Sequence, residues 1–407
     1  MALNIYFKKE SMLDFFLMIV FLGVFFGGGI YLISTVLVPF RVGLVVLFFL
    51  LVYFYRRETL SLNLLSILVL ILFSYQFLVN GIVVVSQSEI DFSKFINSFL
   101  LYFFIIGLVL LSSHNQLKYN KILFKSINIF LVILILTTFI EFKYHIHFSF
   151  SNALLMGDFY SFIPTGYYTN QNDMMAIYTL ILLFNLVYID FFSINNSFYN
   201  IYYISTFLYG LFLSVITSSR IALLALIVIF FIFLVRKTKK VFLLISIFIL
   251  LFLFFIYSDI LIAYYEANAI GSGNSTDMRI NLYKDALENL TIFGYGFDNS
   301  DIFYLKLDDL SVLGMINPHN YLLELLINNG YVFFLLYIIF NIYLVISSFM
   351  YKEYLLSFAL MLYQFILLSS SSSLFLWQHY IFYIAFITLF QIRRENAKND
   401  ISPSSTS

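Results

Sequence analysis

Apolar runs of about 20 residues, the length a helix needs to cross a hydrocarbon core ~30 Å thick, recur from one end of the chain to the other. Of 407 residues, 62% are hydrophobic and 11% are charged, whereas a soluble domain carries about 25% charged residues. So little polar surface cannot coat a water-soluble core. The pattern predicts an all-α integral membrane protein with about 12 transmembrane helices. The formal net charge is zero and no Lys/Arg-rich domain or tail is present, which argues against a nucleic-acid partner. Cysteine is absent, so disulfides, thiolate catalysis and iron–sulfur chemistry are excluded together.

Spans are expected near residues 12–30, 33–55, 60–80, 95–113, 120–140, 173–191, 199–217, 219–236, 241–258, 328–349, 354–371 and 374–391. The basic start of the chain precedes an apolar run too long for a signal peptide, with no small-residue cleavage site, and reads as the first span. Between the first two spans the hinge lies at Gly27–Gly29 or at Pro39 and Arg41. With the N-terminus inside, the inner segments hold Lys8, Lys9, Arg56, Arg57, Lys118, Lys121, Lys125, Arg236, Lys237, Lys239, Lys240, Lys352, Arg393, Arg394 and Lys398, which is 15 of the 22 basic residues. The positive-inside rule therefore predicts that both termini are cytoplasmic.

That topology divides the chain into nine spans over 1–258, a large external loop containing short helices at 259–327, three spans over 328–391 and a short cytoplasmic tail at 392–407. Long connections usually have a function. Between 259 and 320 there are nine acids (Asp259, Glu266, Asp277, Asp285, Glu288, Asp298, Asp301, Asp308, Asp309) against three bases (Arg279, Lys284, Lys306). An acidic loop does not attract polyanions at large, so any anion site on it must be local.

Four stretches on the predicted outer face carry candidate chemistry. In "PTGYYTNQND", Gly166, Asn170, Gln171 and Asn172 form a neutral hydrogen-bonding patch that suits sugar hydroxyls, and suits turns and helix caps equally well. In "SVITSSRIALLAL", Arg220 is the only Asp, Glu, Lys or Arg between Asp190 and Arg236. A boundary arginine can simply snorkel; on the outer face, after a tight serine-rich turn, it is a functional candidate. In "NSTDMRINLYKDALENLTIFGYGFDNS", Ser275 or Asp277 can cap a short amphipathic helix that Gly294 and Gly296 end. Arg279 falls in its first turn, where the helix dipole favours an anion, so a bound anion nearby explains it better. In "INPHNYLLELLINNGY", Pro318 starts a helix with His319 and Asn320 in its first turn and Glu324 one to two turns on. Spacing alone makes His319 a hydrogen-bonded surface group rather than a catalyst. His145 and His147 lack a third metal ligand of matching spacing, and no phosphate loop, dinucleotide fingerprint or metalloprotease helix is present.

Taken in order, these stretches resemble the bacterial O-antigen polymerase and ligase superfamily, which includes Wzy-type polymerases and lipid-A-core ligases. The resemblance rests on Gly166 with Asn170 and Asn172, on Arg220 after Thr217, Ser218 and Ser219, on Arg279, Tyr283, Ala286, Gly294 and Gly296, and on His319, Asn320, Leu323 and Gly330. It covers roughly residues 165 to 335. Tyr283 stands where an indole is common, and Gln171 where proline is common.

The resemblance implies a membrane glycosyltransferase that polymerises undecaprenyl-diphosphate-linked oligosaccharide repeat units at the outer face of the cytoplasmic (inner) membrane, making O-antigen or capsule. It implies an inverting, metal-independent reaction without a cofactor. His319 is the expected general base, and Arg220 and Arg279 bind the diphosphate and stabilise the leaving group. Asn170, Asn172, Tyr283, Gly294, Gly296, Asn320 and Glu324 are the expected substrate-binding residues. Membrane lipid, a chain-length regulator and a flippase are the expected partners. The rival within the same chemistry is a ligase that moves glycan onto lipid A-core or protein. The rival of another class is a lipid-linked oligosaccharide flippase, which would bury charges at the midplane and show two similar halves.

Overall fold

The computed structural model describes residues 9–26, 41–49, 62–85, 92–146, 163–168, 171–194, 196–217, 219–237, 284, 287–288, 290–296, 320–368 and 377–401. Among them every regular element is an α-helix: α1 (Lys9–Phe26), α2 (Leu64–Val85), α3 (Phe92–His114), α4 (Gln116–Tyr144), α5 (Gln171–Phe191), α6 (Ser197–Ile216), α7 (Arg220–Lys237), α8 (Tyr321–Met350), α9 (Tyr354–Leu367) and α10 (Trp377–Ile401). Residues 41–49 are helical as well. Five described segments, Leu64–Val83, Gln116–Tyr144, Gln171–Phe191, Ser197–Ile216 and Tyr321–Met350, are long and apolar enough to cross a membrane. The protein is a multi-pass membrane protein, all-helical among the described residues. The expected span at 241–258, the hinge at Gly27–Gly29 and most of the loop at 259–327 lie outside the described residues.

Two helices form the centre. In α5 every residue from Asp173 to Ile189 is buried, and in α10 every residue from Trp377 to Ile392 is buried. Helices α4, α6, α7, α9 and α10 pack around α5. The peripheral helices instead keep one apolar stripe exposed at helical spacing: Ile129, Val132, Leu136 and Phe139 on α4, Leu224, Val228, Phe231 and Val235 on α7, and Leu335, Ile339, Ile342 and Ile346 on α8. Exposed stripes of this kind fit a hydrocarbon solvent, in which helices associate by close packing and by interhelical hydrogen bonds. Phe124 stacks on Tyr188 at 4.2 Å and Phe207 on Phe230 at 4.2 Å. The buried hydroxyls of Tyr119 and Tyr203 donate to the carbonyls of Ile381 (3.3 Å) and Leu182 (3.1 Å) on neighbouring helices.

Ion pairs and amides mark one end of the bundle. Arg236 at the end of α7 pairs with Asp190 at the end of α5, and Arg393 of α10 pairs with Glu353, between α8 and α9, at 3.0 Å. The Arg393 guanidinium lies 4.4 Å above the Phe191 ring. Gln116, first in α4, reaches Gln391 of α10, and Lys118 reaches Asp14 at 2.8 Å. Since α5 and α7 are joined at their C-terminal ends, Gln171 and Arg220 at their starts share the opposite end.

Helix α8 departs from the expected span at 328–349. It starts at Tyr321 and is broken at Gly330, whose φ of 74° and ψ of −180° are not helical. A straight helix would separate Tyr321 from Tyr337 by about 24 Å, yet their ring centroids are 6.3 Å apart. The segment before the break is therefore a half-helix folded back along the segment after it. Nearly every residue from Tyr321 to Gly330 is buried, whereas 331–350 shows the exposed apolar stripe. The break leaves carbonyls without their helical donors, and segment 290–296 supplies donors: Tyr295 N–H bonds to the Ile327 carbonyl at 2.9 Å and Gly296 N–H to the Asn328 carbonyl at 3.0 Å. Two glycines permit this approach. A Cβ on Gly330 would collide with the Ile292 carbonyl, and one on Gly294 would collide with the Asn328 carbonyl. Both have positive φ, at 74° and 75°.

Gly330→Ala is expected to lower the apparent melting temperature in detergent. The positive φ alone costs on the order of 1–3 kcal/mol, and the backbone collision adds to it. Gly81→Ala in α2 is the matched control, because nothing lies within 4 Å of a Cβ there. Equal melting temperatures for the two variants would remove the docking of 290–296 onto the half-helix from the account.

Candidate functional site

The end of the bundle that carries Arg220 also carries the other described candidates. Arg220 opens α7 after a tight turn from α6, in which Thr217 caps α6 and Ser219 N–H bonds to the Ser214 carbonyl at 3.0 Å. Thr217 and Ser219 are buried, while the Arg220 side chain is exposed. Arg220 therefore lies at the surface of this end of the bundle. Asn172, in the first turn of α5, is half-buried at the same end, and the next residue, Asp173, is buried.

The Gly166 patch is held by a residue that the sequence analysis did not single out. Glu141, in the last turn of α4, is fully buried, and its Oε2 accepts hydrogen bonds from the backbone N–H of Thr165 (3.0 Å) and of Gly166 (2.7 Å). These bonds satisfy two buried donors that the turn would otherwise leave orphaned. Gly166 sits at φ 58°, and a Cβ there would press on Leu134 and Thr138. Beside it the hydroxyl of Tyr167 has its pKa raised, first by burial and also by the Glu141 charge, against a lowering hydrogen bond from Thr137. Tyr168 is raised well above the ordinary tyrosine value by burial, with the Asp173 charge adding to it. At physiological pH these phenols stay protonated and remain hydrogen-bond donors. Glu141 lies one residue past the expected span at 120–140. The signal that marks it is an acid at a span end close before a "PTG" turn.

The third part is the half-helix itself. Asn320 is its N-cap and not a first-turn residue: its Oδ1 accepts from Leu322 N–H (3.1 Å) and Leu323 N–H (3.2 Å). The expectation that placed Asn320 inside the first turn is corrected by that bonding, which is what a cap side chain does for otherwise orphan donors. Glu324 is buried on the same half-helix. Gly294 and Gly296 of the loop pack against its far end, and Tyr295 between them has its pKa raised by burial. The structure thus brings Gly294, Gly296, Asn320 and Glu324 onto one unit. Helix α9 packs on α8 and on α5 and α7, the helices that carry Asn172 and Arg220. Asn170, Arg279, Tyr283 and His319 lie outside the described residues, and of the short helix expected around them only 284, 287 and 288 are described, all helical. Among the described residues no group of three or more His, Asp or Glu side chains is gathered to hold a metal ion.

An exposed arginine, a turn held by a buried carboxylate and a capped half-helix share one end of the bundle. Residues 205–338 match the O-antigen ligase family. The match runs from α6 through Arg220, Arg279 and His319 to the first turns after the Gly330 break, so the O-antigen ligase region contains both candidate arginines and the candidate base. It bears out the resemblance to the O-antigen polymerase and ligase superfamily over roughly a third of the chain. Gly166, Asn170 and Asn172 precede the O-antigen ligase match. No curated protein matches the chain.

Replacing Glu141 tests the turn. Glu141→Leu leaves the buried N–H groups of Thr165 and Gly166 without this acceptor, at about 1–3 kcal/mol each. Glu141→Gln keeps an acceptor oxygen and is expected to cost less. Limited proteolysis between residues 145 and 171 checks the order: cleavage should accelerate most in the leucine variant, and equal protection in both would remove the role.

Proposed function

We propose that the protein is a membrane glycosyltransferase that polymerises polyprenyl-diphosphate-linked oligosaccharide repeat units at the outer face of the bacterial cytoplasmic membrane. The observation that carries the reading is the O-antigen ligase match across residues 205–338, which includes Arg220, Arg279 and His319. The arrangement invoked is the one expected from the sequence, with about 12 spans, both termini cytoplasmic and the 259–327 loop outside.

The donor is a dianionic diphosphate on a long apolar tail, so its headgroup lies at interfacial depth, where Arg220 opens α7. A guanidinium stays protonated and binds phosphate oxygens through a planar fork. In this mechanism Arg220 and Arg279 hold the diphosphate and stabilise the charge that grows on it as the bond breaks. The acceptor sugar hydroxyl attacks the anomeric carbon of the donor. The new carbon–oxygen bond forms as the bond to the phosphate oxygen breaks, and polyprenyl diphosphate departs with the electron pair. The hydroxyl proton passes to the His319 imidazole, a general base of suitable pKa that typically contributes ~10²–10⁴-fold. A single displacement inverts the anomeric centre. The amide patch at Asn170 and Asn172, the unit formed by Gly294, Gly296, Asn320 and Glu324, and Tyr283 bind the sugars in this mechanism. A chain-length regulator and a flippase are the partner proteins of this reading.

A ligase that moves glycan to lipid A-core or protein shares the donor and the machinery, and the O-antigen ligase match favours it as the second reading. Gene deletion separates the polymerase from a flippase: single lipid-linked repeat units accumulate outside in the first case and inside in the second. His319→Ala is expected to abolish polymer while lipid-linked units accumulate and the protein still inserts, and Arg279→Ala should do the same. Polymer of normal length in a clean His319→Ala background would exclude His319 as the base.

A further inference from the structure

A second histidine, on which the proposed chemistry makes no demand, lies against the start of the half-helix. His379, near the start of α10, is fully buried. The Tyr363 hydroxyl of α9 sits 2.9 Å from its Nδ1 and donates to its backbone carbonyl at 3.1 Å. A hydroxyl carries one proton. That proton serves either the carbonyl or Nδ1 according to the imidazole tautomer, and in both cases the hydroxyl holds the ring. One tyrosine thereby locks both the ring and the backbone of His379.

The locked ring meets Tyr321 nearly edge-on, with centroids 5.0 Å apart and planes at 70°. Tyr321 is the first residue of the half-helix and follows the cap Asn320 directly. Tyr321 also meets Tyr337 beyond the break, and the Tyr337 hydroxyl donates to Gln364 Oε1 of α9 at 3.0 Å. The folded-back end is thus gripped by α9, α10 and the second part of α8. A phenylalanine or leucine would fill the same space without the cost of an ionisable group inside a membrane bundle. The polar partner of the imidazole is a group that orients it.

We propose that His379, oriented by Tyr363, is a positioning residue that sets the depth and rotation of the half-helix through Tyr321. It thereby sets where the acceptor hydroxyl meets the residues that begin that helix. The proposal rests on the glycosyl-transfer reading for its effect on rate, but not for its effect on the half-helix.

The test uses the full chain in proteoliposomes supplied with lipid-linked repeat units. His379→Phe keeps a ring against Tyr321 and loses the bond to Tyr363. Its kcat should fall on the order of tenfold to hundredfold, the scale of a ~1 Å misplacement, with KM for the lipid-linked donor within about twofold. His379→Asn, whose side-chain amide can donate to or accept from the Tyr363 hydroxyl, should recover most of that rate. Tyr363→Phe, which removes a single oxygen, should match His379→Phe and carries the test if the latter fails to insert. Amide exchange over residues 321–329 should rise in both phenylalanine variants and not in His379→Asn. Wild-type rate and exchange in the phenylalanine variants would overturn the proposal. So would a His379→Asn rate as low as that of His379→Phe without a change in exchange, which would make His379 a chemical participant. If the unaltered protein transfers no glycan, the glycosyl-transfer reading fails, and the exchange measurement alone still decides for or against the positioning role.

Discussion

A backbone group that loses its helical partner inside a bilayer must find another within the protein, because hydrocarbon offers none. In this chain that requirement is met at Gly330. The break opens α8 and leaves the carbonyls of Ile327 and Asn328 without helical donors, and the N–H groups of Tyr295 and Gly296 take them. Everything distinctive about this end of the bundle follows from the exchange. It allows nine buried residues to run back along their own helix, brings Tyr321 against His379 of α10, and ties the loop segment 290–296 to the half-helix. It works only with glycine on both sides, since either Cβ would meet a backbone carbonyl.

The membrane class and the positions of most helices were legible in the sequence, because apolar run length is a direct consequence of bilayer thickness. The broken helix was not. "LLELLINNGYVFFLLYIIF" is apolar enough on both sides of Gly330 to read as one continuous span from residue 328. The only local sign of the break is a glycine that any helix could hold. Its partner, "GYG" at 294–296, read as the end of a short amphipathic helix, whereas in the structure its backbone completes another helix 32 residues on. Pairing of that kind depends on φ values and on two-sided steric clearance, and composition records neither.

The site was legible in part and for a similar reason. Arg220 stood out because it is the only charge between Asp190 and Arg236. Glu141 did not, since an acid one residue past a span end is ordinary, and its function is to accept two N–H groups from a turn 24 residues away. His379 was a lone histidine in an expected span, and its meaning depends on Tyr363 and Tyr321, which lie on other helices. Local sequence can flag a group whose cost is unusual. It cannot say which neighbour offsets that cost, because the neighbour is brought there by packing.

The central claim is that the chain transfers a glycan from a polyprenyl diphosphate to a sugar hydroxyl. The most direct measurement reconstitutes the purified protein with a defined lipid-linked repeat unit and follows products with time. The account predicts a ladder of lipid-linked oligomers, one undecaprenyl diphosphate released for each new glycosidic bond, and inversion at the anomeric carbon. Release of free sugar without a ladder, or an unchanged donor in the presence of both repeat units and lipid A-core acceptor, would contradict it.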